Sequence, residues 1–112
     1  MLNPPRGLLS GVPTLVGESI NATGVSDVRL FSVSAPPGQS RTVKCQAVGT
    51  FTVFDGNLEV SMDGGTTYST FVAFDFVASA VFIFDVTPGV LYRFNISNIT
   101  QSVAPNIYAT LN

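Results

Sequence analysis

The chain has 112 residues, 46% of them hydrophobic and only 11% charged, with a formal net charge of −2, one cysteine and no histidine. That length fits a single domain with one buried core. High apolar content with little charge excludes intrinsic disorder, five scattered basic residues exclude an electrostatic footprint for nucleic acid, and the lone Cys45 excludes an internal disulfide frame.

Residues 1–24 differ from the rest. Pro4, Pro5 and Pro13, with Gly7, Gly11, Gly17 and Gly24, punctuate the segment and leave no helical period. They also break the apolar run that a signal peptide requires, so none is expected. Leu2, Leu8, Leu9, Val12, Leu15 and Val16 are nevertheless apolar. A solvated tail rarely carries so many, and the segment reads as an extended N-terminal arm that lies on something, with a short strand near Thr14–Val16.

From Val25 to the end (residues 25–112) the hydrophobic period is two, the signature of strands. Val28–Ala35 is the first run, closed by Pro36-Pro37-Gly38. Thr42–Phe54 places Val43, Cys45, Ala47, Gly49, Phe51 and Val53 on one face, with Gly49 a candidate bulge. Asp55-Gly56-Asn57 reads as a turn, followed by a strand through Leu58, Val60 and Met62. Asp63-Gly64-Gly65 is a hairpin signal, because such turns need positive φ, which Gly64 and Gly65 supply without strain. Tyr68–Phe76 and Ala80–Val86 are two apolar runs, Val90–Ile96 is a strand containing Tyr92 and Phe94, Ser97–Pro105 reads as polar loop, and Ile107–Leu111 is the last strand. Six to nine short strands with no amphipathic helix indicate an all-β single domain, a β-sandwich or a jelly-roll or Ig-like barrel.

Little points to catalysis. Without histidine the usual general base and the commonest metal ligand are both missing, and Cys45 has no partner to activate it. Cys45 reads as a small core hydrophobe. The carboxylates are Glu18, Asp27, Asp55, Glu59, Asp63, Asp75 and Asp85, and a glycosidase would need two of them across a sugar-sized cleft that so small a domain seldom builds. Asp63-Gly64-Gly65 lacks the spaced oxygens of a calcium loop, and Gly64-Gly65 lacks the lysine and helix of a phosphate loop. No enzyme activity, cofactor or metal is expected. Asp75 and Asp85, set among Phe and Val, read as guards against edge-to-edge association or as partners of Arg29 or Arg93. The longest apolar stretch, Phe71–Phe84, is too short for a membrane helix and stands without the ladder of similar segments that a membrane barrel needs. No membrane partner is expected.

That stretch is apolar on both strand faces. Phe74, Phe76, Phe82 and Phe84 fall among the candidates for one buried surface, while Val81 and Ile83 fall on the face opposite Phe82 and Phe84. A domain of this size has one interior. The excess therefore implies burial against another chain, with Leu2, Leu8, Leu9, Val12, Leu15, Phe74, Phe76, Phe82 and Phe84 as the candidate interface, the region of the four phenylalanines packing in the core or between copies.

The run L-E-V-S-M-D-G-G-T-T-Y-S-T-F at 58–71, followed by T-P-G-V-L-Y-R-F-N-I at 87–96, resembles the β-rich structural modules of tailed-bacteriophage virions, most of all small head decoration (cement) proteins. Pro88–Phe94 is also similar to a stretch of Ig-like and fibronectin type III sandwiches, where Tyr92 would fill the tyrosine-corner position. The resemblance implies a non-enzymatic virion protein, made in the host cytoplasm and bound to the capsid exterior. Its partners would be the major capsid protein and copies of itself, as a trimer around a local three-fold axis. A neck, tail or fibre component is the alternative within that class, and a carbohydrate- or surface-binding module, using Tyr68 and Tyr108, the alternative outside it.

Overall fold

In the computed structural model the described residues are 6–8, 11–33, 41–86 and 90–111. They are all-β, with no helix. The strands are β1 (Arg6–Gly7), β2 (Thr14–Gly17), β3 (Phe31–Ser32), β4 (Arg41–Ser61), β5 (Ser69–Phe76), β6 (Ala80–Val86) and β7 (Leu91–Leu111). All belong to one sheet, ordered β1-β3-β7-β4-β5, with β2 also on β7 and β6 also on β4. Every pairing is antiparallel except β1 with β3.

The two long strands decide the shape. A straight strand of 21 residues would run about 70 Å, yet the longest dimension of the Cα trace is 43 Å. Strands β4 and β7 therefore bend together, and the single sheet doubles over into a sandwich-like fold. The bend lies where their register slips, between Val48 and Val53 of β4. There Gly49 does what a bulge residue must. A Cβ at this position would come within 2.7 Å of Pro105 Cα and 2.9 Å of the Val103 carbonyl oxygen, so the two backbones approach only because it is glycine.

The slip also exchanges the faces. Before it, Val43, Cys45 and Ala47 point inward, as Phe51 does within it; after it, Phe54, Gly56 and Leu58 do. On β7 the inward set changes from Tyr92, Phe94 and Ile96 to Ile107, Ala109 and Leu111. The period-two expectation holds on each side of the bend and fails across it: fully buried Phe54, not Val53, continues the core.

Two expected breaks are absent. Asp55-Gly56-Asn57 is not a turn but mid-strand, paired with β5 on one side and β7 on the other. Gly56 serves packing: a Cβ there would run into the Asn95 carbonyl oxygen of β7 and lie 2.8 Å from Phe74 Cζ. Ser97–Pro105 is not a loop but the middle of β7, carried through the bend by register shifts opposite Val48–Gly56. The hairpin at Asp63–Gly65 is present. Gly64 and Gly65 have φ of 76° and 96°. The Asp63 carboxylate accepts from the Thr66 and Thr67 amides at 3.1 and 2.9 Å and from the Ser61 hydroxyl at 2.8 Å. These donors favour its charged form and hold it down to about 2, the Thr67 amide contributing most.

The described part of the expected arm lies on its own chain. Leu8 is buried and its amide donates to the Ser32 carbonyl, β2 pairs with β7, and Val16 and Ile20 are fully buried. Gly24 exchanges two backbone hydrogen bonds with Ile96, at 2.7 and 3.0 Å. These residues need no neighbouring subunit to cover them, and Leu8 is core rather than interface.

Candidate interaction surface

The Phe residues of β5 and β6 meet inside the fold. Phe54 and Phe76, and Gly56 and Phe74, are register partners on β4 and β5, while Val43 and Phe84, and Cys45 and Phe82, are partners on β4 and β6. The doubling of the sheet brings these rows together. Phe74 and Phe82 stack with centroids 6.3 Å apart and planes at 12°, Phe76 and Phe82 are 5.6 Å apart, and Phe74 meets Phe94 edge-on at 5.7 Å. Such pairs contribute beyond their buried area, about 0.5–1.5 kcal/mol each. Phe74 and Phe84 are buried, and Phe76 and Phe82 are partly buried against the same core. Of the two places expected for this region, the core or a contact between copies, Phe74 and Phe84 take the core. Phe71, the extra residue at the β5 bulge opposite Leu58 and Glu59, leans onto Phe84 and Tyr92 at the rim. Tyr92 is buried and stacks on Phe31 at 5.6 Å. Cys45 is buried, and desolvation pushes its thiol well up. Leu2 and Leu9 lie outside the described residues. Val12 is 47% exposed and Leu15 half-buried.

The apolar surface lies on the other side of β6. Val81 and Ile83 are 54% and 57% exposed, outside Gln46 and Lys44 of β4. Val48 and, across the bend, Val103 add to the exposed apolar set, as does Val77 in the β5–β6 connection. The alternation of Val81 and Ile83 against Phe82 and Phe84 is visible in the sequence. Which set would face in is not, because both are apolar.

The outer face of the other half is polar. Glu59 of β4 accepts from Arg93 Nε at 2.8 Å and from Asn95 Nδ2 at 3.2 Å. The Arg93 guanidinium lies 3.7 Å from the centroid of the Tyr68 ring, so that ring face is already occupied. Arg93 thus pairs with Glu59 and not with Asp75. Asp75 instead stands directly opposite Asp55 in the β4–β5 ladder. No family model matches the chain, and neither a curated protein nor a solved structure does. Chemically, then, the surface divides into an apolar edge at β6, a polar face of ion pair and amides, and a carboxyl pair.

Proposed function

We propose that this chain is a non-enzymatic structural subunit that works by packing against other chains, and that its setting is the exterior of a phage capsid, where it acts as a decoration protein. One observation carries the packing role: the edge presented by β6. Exposed edges invite pairing, and proteins blunt them with bulges, charges or shortness. Strands β5 and β2 carry bulges, β2 has four residues, and β1 two. Strand β6 pairs with β4 over seven consecutive residues without a slip, and among the described residues β4 is its one strand partner. Its exposed side chains are Val81, Ile83 and a single charge, Asp85, near the end. Each aliphatic side chain, once covered, would contribute about 1.5–3 kcal/mol.

The capsid setting is supported by the resemblance at 58–71 and 87–96, whose hairpin forms as a D-G-G turn with both glycines at positive φ. The experiment is addition of the purified chain, and of Ile83→Lys, to pre-formed undecorated capsids, with sedimentation of each chain alone. Retention of the wild type on capsids and its loss in Ile83→Lys support the proposal. A wild type that neither binds capsids nor self-associates overturns it.

A further inference from the structure

We propose that Asp55 and Asp75 form a proton-dependent latch holding the β5 edge onto β4: with one proton between them the carboxyls hydrogen-bond, and without it they repel across the ladder.

The geometry is specific. Asp55 and Asp75 are register partners on adjacent antiparallel strands, where opposed side chains stand closest and like charges destabilise. Asp55 Oδ1 is out of contact with water, and no N–H or O–H donor reaches it. An ionised carboxylate left so costs stability, and protonation lowers that cost. The charged groups of that face are accounted for. From β4 comes Glu59, from β5 Asp75, and from β7 Arg93, whose guanidinium is held by Glu59 and the Tyr68 ring. The β7 residue in register with Asp55 is Asn98, and the β5–β6 connection, Val77-Ala78-Ser79, is uncharged. Among the described residues, no cation is in register with the pair on β4, β5 or β7. In agreement, the hydrogen bond with Asp75, then burial, then the Asp75 charge hold the Asp55 carboxyl above its ordinary 3.8.

The direction follows by linkage. The unfolded chain releases this proton near 3.8 and the folded chain only at higher pH. The stability that the protonated pair confers is complete below the unfolded value and lost as pH rises through the folded one. Strand β5 carries Phe74 and Phe76, which stack against Phe82 of β6. Loosening its edge would uncover that aromatic seam. The latch is thus an acid-tightened closure of the core, independent of what the chain binds.

The test is denaturant unfolding of the full chain from about pH 4 to about pH 8, for wild type, Asp55→Asn and Asp75→Asn. The wild-type unfolding constant should rise by up to about tenfold per pH unit inside the titration window. Either asparagine supplies a permanent N–H donor, so both variants should lack that rise and exceed the wild type in stability at neutral pH. Infrared spectra of the wild type should keep a protonated-carboxyl stretch above the pH at which ordinary carboxyls have ionised, and both variants should lose it. Parallel pH profiles of wild type and Asp55→Asn would overturn the latch. Should the variants not fold, the wild-type carboxyl stretch alone decides, its disappearance at ordinary carboxyl pH overturning the proposal.

Discussion

Strands β5 and β6 are a matched pair with opposite outer faces. Each lies on β4, each presents phenylalanines inward, and their rings meet in one seam. Outward, β5 shows Ala73 and Asp75 after a bulge at which Phe71 and Val72 are also exposed, whereas β6 shows Val81 and Ile83 in an unbroken register. Inward residues of both serve the fold. The outward residues divide the labour: on β5 a carboxyl facing Asp55, on β6 an aliphatic edge open to another strand.

The comparison is sharpened first at the seam. Phe74→Ala and Phe84→Ala should each cost about 3–5 kcal/mol in urea unfolding, since both leave a ring-sized cavity in a closed core; a loss in one strand only would break the equivalence of the inner faces. Next in size is Gly56→Ala. Its Cβ would press on the Asn95 carbonyl oxygen of β7 as well as on the Phe74 ring, and a loss of about 1–3 kcal/mol is expected from the overpacking, only partly reduced when Phe74 is first shortened to Leu. Smaller again is Asp63→Asn in the hairpin that leads into β5. Asp63 is held near 2 against an ordinary 3.8, so its contribution is present above 3.8 and lost as pH falls through about 2. The variant should flatten the acid limb of a thermal-unfolding pH series and leave the limb governed by Asp55 unchanged. The smallest effect on stability belongs to Ile83→Lys, which should stay within about 0.5 kcal/mol of wild type because the side chain is exposed. Sedimentation should nonetheless show its self-association reduced. A large loss of stability there would mean that β6 is not an open edge.

Parts of this arrangement are legible without coordinates. The period of two in Thr42–Ala47 and Val90–Ile96 announces strands, and Asp63-Gly64-Gly65 announces a turn, because both signals are local: side-chain alternation and positive φ. The length of β4 and β7 is hidden for an equally local reason. Asp55-Gly56-Asn57 has the composition of a turn, but Gly56 leaves room for the Asn95 carbonyl of β7 and for the Phe74 ring, both far along the chain. Ser97–Pro105 is polar because it runs along the outer face and through the bend, not because it leaves the sheet. With Phe on one side and Val and Ile on the other, alternation shows that two faces exist and not which is covered. The carboxyl pair leaves no trace in the order of residues, since register alone sets Asp55 against Asp75.

The sequence by itself determined that this chain is all-β, that its hairpin falls at Asp63–Gly65, that Cys45 is inert core, and that more apolar side chains exist than one interior needs. Those properties follow from composition and from neighbours a few residues apart. Only the tertiary structure decided which aromatics are hidden, that residues 14–24 lie on their own sheet, and that β6 is the smooth edge. Each of these depends on the common bend of β4 and β7 at Gly49 and Pro105, where a slip in register turns one face of the sheet into the other.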